Sequence, residues 1–411
     1  MGNGIRRFDP ERDREAGYRL WKEIGWLEED QEKVMDVYLQ CGDAWVYELN
    51  GEAEFLAVTS PGEMRYQQRD LPFSGVMAVT TSRIARKQGI AQRCTAQAIA
   101  EAVGKGAMVS GLGIFEQGFY NLLGFGNGVY EHLVFFDPGD LRIDIKCRIP
   151  NRISVKDALA AHNSRLNRLR HHGSVSFFSS RITEADMMWS KKGFGLGYYD
   201  AGGKELTHHF WAYNKGGENG PYIVNWLSYQ NYEQLLELLA ILKSLSDQVR
   251  LVGIFNPAEI QLQDFLTRPI RYRIITDKGK YENIIRSFVW WQMRICDLAG
   301  CLAGTSFPGK ELKFNLLLQD PLQHYLGEDS AWCGIGGKYI ITLGSISSAD
   351  KGWDDNLPVL ETTVGAFTRL WLGVLPASGL AVCEYFKASP ELLKELNDIF
   401  RLPVPRPDWE F

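Results

Sequence analysis

A change of period at one glycine constrains this chain more than its composition does. Ahead of Gly89, Val76-Met77-Ala78-Val79 is a short apolar run without helical spacing, and it reads as a buried strand. Beyond it, Ile90, Ala91, Cys94, Ala98, Ile99, Ala102 and Val103 recur at three- and four-residue steps and close on Gly104 and Gly106, the stripe of a helix. Between the two lies a polar, basic turn with Arg83, Arg86, Lys87 and Gln88. A helix entered this way presents unpaired N–H groups and a partial positive charge, which together bind anions. Arg93 adds to that charge, and Gly89 lets a phosphate approach the backbone. Basic loops ahead of helices are also common as solvated surface, and the spacing is neither the dinucleotide fingerprint nor a GxxxxGK[ST] loop. On chemistry alone both readings stand.

At 411 residues the chain exceeds one ordinary core, so two or three domains are expected. With 45% hydrophobic residues it suits a globular protein, and no apolar run is long enough to span a membrane. The start, Met1 to Arg6, lacks the apolar core of a signal peptide, and the expected location is cytoplasmic. Seven cysteines without a C-x-x-C pair argue against a disulfide framework and a zinc ribbon, so no metal is expected. A net charge of −5 disfavours a nucleic-acid surface.

Asp9-Pro10 marks a helix start, and Asn50-Gly51 a hairpin between Trp45–Tyr47 and Phe55–Val58. After a strand from Met108 to Ile114 comes a short helix around Tyr120, closed by Gly124-Phe125-Gly126, then a strand from Val129 to Phe136. From about Leu141 the order repeats: helices Val155–Leu169 and Thr183–Trp189, a hairpin at 201–204, strand Tyr222–Tyr229, helix Tyr232–Leu245, strand Val249–Phe255, helix Pro257–Leu266 and strand Tyr272–Ile275. The copy has Ser228-Tyr229-Gln230-Asn231-Tyr232 where the first has its basic glycine turn, so it should bind no coenzyme. From Phe288 strands alternate with apolar helices, an α+β pattern, and Gly334-Ile335-Gly336-Gly337-Lys338 is a turn into a strand. The expected segments are 1–140, 141–285 and 286–411.

Arg86-Lys87-Gln88-Gly89-Ile90-Ala91, just after Ala78-Val79, resembles the pyrophosphate loop of the GNAT acetyltransferase superfamily, and Tyr120 with Gly124-Phe125 resembles its sulfur-side tyrosine. Three further features are similar to the Eis-type (enhanced intracellular survival) family: Trp291-Gln292-Met293-Arg294-Ile295-Cys296-Asp297, Phe367 to Gly373, and the terminal Glu410-Phe411. The resemblance implies an α/β (α+β) chain: two tandem GNAT-like mixed-sheet domains, the second degenerate, followed by a sterol-carrier-protein-like domain. It also implies acetyl-CoA as cosubstrate, held by Met77, Ala78, Val79 and the loop Arg86 to Ala91. Homohexamers are implied too, with transfer to primary amines of aminoglycosides, polyamines or lysine side chains.

Thioester aminolysis needs a polarised carbonyl, a neutral amine and a protonated leaving thiolate. Backbone N–H groups of Met77–Val79, if splayed from their neighbour, could polarise the carbonyl. Tyr120 is the candidate general acid, against the commoner fate of a half-buried core tyrosine. Histidines make poor bases here: His171-His172 and His208-His209 are sequence neighbours that point apart, and His132 reads as structural. The resemblance points instead to the terminal carboxylate of Phe411, ordinarily titrating at about 3.5 and raised by burial near aromatic rings. Glu28, Glu29 and Glu410 are candidates for attracting a cationic acceptor, although exposed carboxylates are usually only solvated. Two rival readings are a lipid-binding scaffold with a vestigial transferase and a double-GNAT enzyme using another acyl donor.

Overall fold

The computed structural model describes residues 4–28, 31–190, 192–199, 203–269, 278–328 and 330–411. The chain is α+β with three mixed sheets. It divides into two compact units, Met1–Val129 with His171–Ser179 and Val289–Phe411, and Tyr130–Arg170 with Ser180–Phe288.

The first unit opens with β1 (Gly4–Arg7), α1 (Pro10–Glu23), α2 (Glu32–Leu39), β2 (Asp43–Leu49), β3 (Glu52–Tyr66) and β4 (Arg69–Thr81). It continues through α3 (Ile90–Gly104), β5 (Val109–Gly113), α4 (Gln117–Asn121) and β6 (Gly126–Asn127). The Asp9 carboxylate caps α1 by accepting from the Glu11 N–H, with Pro10 in the first turn where its missing donor costs nothing. Asn50 and Gly51 both have positive φ, 56° and 91°, as a tight hairpin between β2 and β3 requires. Strands β1 to β5 lie side by side in chain order, and β4 with β5 is a parallel pair.

The strand beyond β5 comes from far along the chain. Trp291–Ile295 pairs antiparallel with β5 on one side and with the two-residue β6 on the other. Gly128 admits the Trp291 indole at a point where a Cβ would collide with it. Conversely, Glu131–Phe136 pairs with Val252–Phe255 and Ile284–Phe288 in the second unit's sheet. Sheet membership therefore does not follow the segment boundaries expected at 140 and 285. Each sheet takes its penultimate strand from the stretch that follows the other copy.

The second unit's sheet runs Ile284–Phe288, Glu131–Phe136, Val252–Phe255, Tyr222–Ser228, Leu206–Asn214, Gly193–Tyr199, Asn151–Ile153. Its parallel pair is Tyr222–Ser228 with Val252–Phe255, and helix Tyr232–Ser244 follows the first of these as α3 follows β4. Leu235, Leu238, Leu239 and Leu242 of that helix pack on Phe210, Val224, Val252 and Ile254. The repeat read from the sequence is thus a repeat of sheet order.

Two expected helices differ. Val155–Leu169 is a 3-10 turn followed by helix Ala158–Leu166. Pro257–Leu266 forms only the 3-10 turn Leu262–Phe265, because Glu259 turns left-handed (φ 61°) and the Asn256 side chain accepts from the Leu262 N–H. The expected strand Tyr272–Ile275 and residues 201–202 of the hairpin lie outside the described residues.

The third sheet belongs to the first unit. Its order is Ser348–Lys351, Gly337–Leu343, Leu312–Gln319, Val359–Thr363, Phe386–Lys387, with helix Val364–Trp371 in the connection between the last two and helix Pro390–Ile399 after them. Trp371 stacks on Tyr66 of β3, ring centroids 4.0 Å apart, and the Tyr66 hydroxyl donates to the Trp371 carbonyl.

Candidate active site

The site begins where β4 and β5 part. Their ladder ends at Val76 opposite Leu112, while β4 runs on along β3 to Thr81. Opposite β3 the register passes from Val58–Met77 to Leu56–Thr80, so β4 carries one extra residue. That bulge lies at Ala78, whose φ is 56°, and the Thr80 hydroxyl donates to the Ala78 carbonyl at 2.7 Å. The β5-facing edge of Met77–Val79 is therefore open backbone, a set of donors without a ladder partner on that side.

The basic turn lies just past the bulge. Lys87 and Gly89 are both left-handed, φ 61° and 70°, which turns successive backbone N–H groups into a concavity suited to an anion. Gly89 is the N-cap of α3 and no side chain caps the helix. Among the described residues, the N–H groups of Gly89, Ile90, Ala91 and Gln92 meet no acceptor in the chain. A Cβ on Gly89 would touch nothing within 4 Å, so the glycine is required by its φ and leaves open space over the helix end. Arg86 and Lys87 are exposed beside it. Gln88 braces the turn through its amide to the Ile84 carbonyl, and Ile90 is buried as a packing residue. Arg83 is held elsewhere, its N–H donating to the Glu23 carboxylate at the end of α1. The donor set fits a pyrophosphate.

Tyr120 lies on α4, a single helical turn capped by Glu116, whose carboxylate accepts from the Gly118 and Phe119 N–H groups. Its ring is buried with Val76 and Leu112, the last paired residues of β4 and β5. Burial pushes its phenol up to about 12, with the Glu116 charge adding to the shift. The side chain is thus a proton donor that stays loaded across the physiological range.

The tail reaches the other face of the same gap. Arg406 donates its N–H to the His172 carbonyl, and Val175 donates to the Pro407 carbonyl. Residues Val175–Phe177 themselves pair with β3, so the tail is bracketed by a strand fixed to the sheet. Asp408 turns left-handed (φ 48°) and drops Trp409 into a buried slot. The Phe411 ring then meets Phe73, Phe177 and Trp290 edge to face, with centroids 5.7, 5.8 and 5.7 Å away. The main-chain oxygen of Phe411 lies so close to Gly113 that a Cβ there would collide with it. Leu112 faces Tyr120 and Gly113 the opposite side, since neighbours on a strand alternate. Tyr120 and the Phe411 main-chain oxygen therefore flank the gap from opposite faces.

Glu28 is exposed in the loop after α1, two residues beyond Trp26, whose ring meets Phe115 at 6.2 Å near the end of β5. Glu410 is exposed beside Phe411. Glu29 lies outside the described residues. Three of the histidines hold structural hydrogen bonds: His172 accepts from the Gln67 N–H, His209 accepts from the Trp226 indole, and His132 bonds Ser287. Gly113, Phe73, Phe177 and Trp290, which seat the tail, were not expected. The alternating Val175-Ser176-Phe177 was the available signal for one of them.

The corresponding place in the second unit is closed. A bulge recurs, since Trp211 pairs with Trp226 and Ala212 with Val224. Yet the helix that follows is capped from within: Asn231 accepts from the Gln234 N–H, and the Gln234 side chain accepts from the Gln230 N–H. Among the described residues no group of three or more His, Cys, Asp or Glu could hold a metal ion, and no helix is long and apolar enough to cross a membrane.

No protein-family model matches the sequence, and no curated protein matches it. Solved structures match along their whole length. A conserved protein of unknown function from Enterococcus faecalis V583 aligns at 16% identity over 100% of both chains, with a TM-score of 0.78. A GCN5-related N-acetyltransferase from Anabaena variabilis aligns at 16% identity over 99% of this chain and 100% of its own, TM-score 0.76. Eis1 from Mycobacterium abscessus aligns at 15% identity over 100% of both, TM-score 0.73. At these identities the likeness is one of fold, and the chain has the fold of GCN5-related N-acetyltransferases, Eis1 among its structural neighbours.

Proposed function

We propose that the chain is an N-acetyltransferase that moves the acetyl group of acetyl-CoA directly onto a primary amine. The pyrophosphate lies on the N–H groups of Gly89 to Gln92, with Arg86 and Lys87 alongside, and the thioester carbonyl meets the open edge of Met77–Val79. The amine enters from the Phe411 face. Its nitrogen forms the C–N bond as the C–S bond breaks. The terminal carboxylate of Phe411 holds the incoming ammonium and takes its first proton, Tyr120 protonates the departing sulfur, and the second proton, lost from the nitrogen once the C–N bond has formed, restores the Tyr120 phenol through solvent. Glu28 and Glu410 add negative charge at the entrance. The second copy, capped by Asn231, carries no coenzyme. On this reading acceptors are polyamine, aminoglycoside or lysine amines, the last segment is a sterol-carrier-like scaffold that delivers the tail, and the assembly is hexameric.

The observation that carries the reading is the seat of Phe411: its main-chain oxygen lies against Gly113, just past the last β4–β5 pair, and the neighbouring Leu112 packs with Tyr120. A frayed terminus would have no reason to fill a ring of aromatics there. The test is release of free thiol from acetyl-CoA on addition of a panel of amines. Acetylated product with matching thiol release supports the reading. Acetyl-CoA binding without turnover on any polyamine, aminoglycoside or lysine peptide contradicts it.

A further inference from the structure

Tyr120 stands on a five-residue helix, too short to fix its own geometry. What holds its far side is strand Trp291–Ile295. Gln292 is wholly buried, and its amide donates to the side-chain oxygens of Asn121 at 2.5 Å and Asn127 at 2.6 Å. Arg294 is wholly buried too, and its guanidinium donates to the Leu123 carbonyl and to the Asp320 carboxylate at 2.7 Å. Asp320 in turn accepts from the N–H groups of Leu322 and Ile335. The left-handed Gly124 (φ 77°) sits against this pair, and a Cβ there would stand 3.0 Å from the guanidinium, a tight contact. The turn after Tyr120 is thus tied one residue on through Gln292 and three residues on through Arg294.

A fully buried ion pair adds little to stability compared with apolar side chains of the same volume, because both charges lose their water. Its distinctive contribution is directional: fixed donors aimed at one carbonyl of one turn. Resting on the acid role proposed above for Tyr120, we propose that Gln292 and Arg294 are positioning residues that set the Tyr120 phenol against the departing sulfur. The step they serve is protonation of the thiolate, and they touch neither substrate.

The test is a double-mutant cycle on thiol release, with acetyl-CoA affinity measured separately by calorimetry. Arg294→Met combined with Asp320→Leu removes both charges together, so neither is left buried alone. Gln292→Met, which leaves the ion pair in place, serves if that protein does not fold. The expected result is a kcat at least tenfold lower with acetyl-CoA affinity unchanged, and no further fall when the same changes are made in Tyr120→Phe. A kcat within about twofold of wild type, or an equal fall in the Tyr120→Phe background, overturns the positioning role, since a merely structural effect does not pass through the phenol. Wild-type kcat in Tyr120→Phe alone is a different failure: it removes the acid role itself, and the positioning role with it.

Discussion

On the proposed mechanism, the Tyr120 hydroxyl and the Phe411 carboxylate divide the proton traffic between two faces of one sheet. Tyr120→Phe removes only an oxygen from a buried ring, so coenzyme affinity should persist while kcat falls by about 10²–10⁴. A mutant within threefold of wild type contradicts the acid role. The pH profile gives a separate check. Burial pushes the phenol up to about 12, so it stays protonated, and the donor stays available, as pH rises from 6 to 10. Tyr120→Phe should therefore lower the whole kcat profile over that range without moving its inflections. An alkaline limb below pH 10 that disappears in Tyr120→Phe would mean the phenol titrates far lower.

At the scale of elements, the proposed anion site is a strand, a bulge, a turn and a helix end, each with its own origin in sequence. Arg86→Glu should raise the dissociation constant for acetyl-CoA about tenfold or more, because a carboxylate would face the pyrophosphate across solvent. Unchanged affinity by calorimetry would remove Arg86 from the site. The glycine turn was legible because Gly89 marks both a left-handed residue and the change from strand to helix period. The left-handed Lys87 and the bulge at Ala78 were not, since lysine and alanine carry no signature for either conformation. Strand Val175–Phe177 escaped notice because its partners, β3 and the Pro407 carbonyl, are remote in sequence. The helix expected over Pro257–Leu266 failed because a periodic apolar stripe does not reveal an Asn side chain closing the loop.

At the scale of the whole molecule, two copies of one sheet have diverged: the first keeps open N–H groups at its helix end and the second has capped them. Acetyl-CoA should accordingly bind with a stoichiometry of one per chain, and two would mean that the Asn231 cap opens. The repeated order of elements along the chain could be read from the sequence, and so could most strands. Which sheet Glu131–Phe136 and Trp291–Ile295 join could not, because an apolar run specifies a strand but not a distant partner. The same limit applied to the seat of the tail, although its aromatics and prolines were visible. Docking of that tail is the central claim, since it turns a chain end into the base. The direct measurement is kcat for amine acetylation after deleting Phe411 or extending the chain beyond it, with coenzyme affinity and thermal stability followed in parallel. The account predicts a loss of at least a hundredfold in kcat with affinity and unfolding temperature little changed; full activity in a C-terminally extended protein would contradict it.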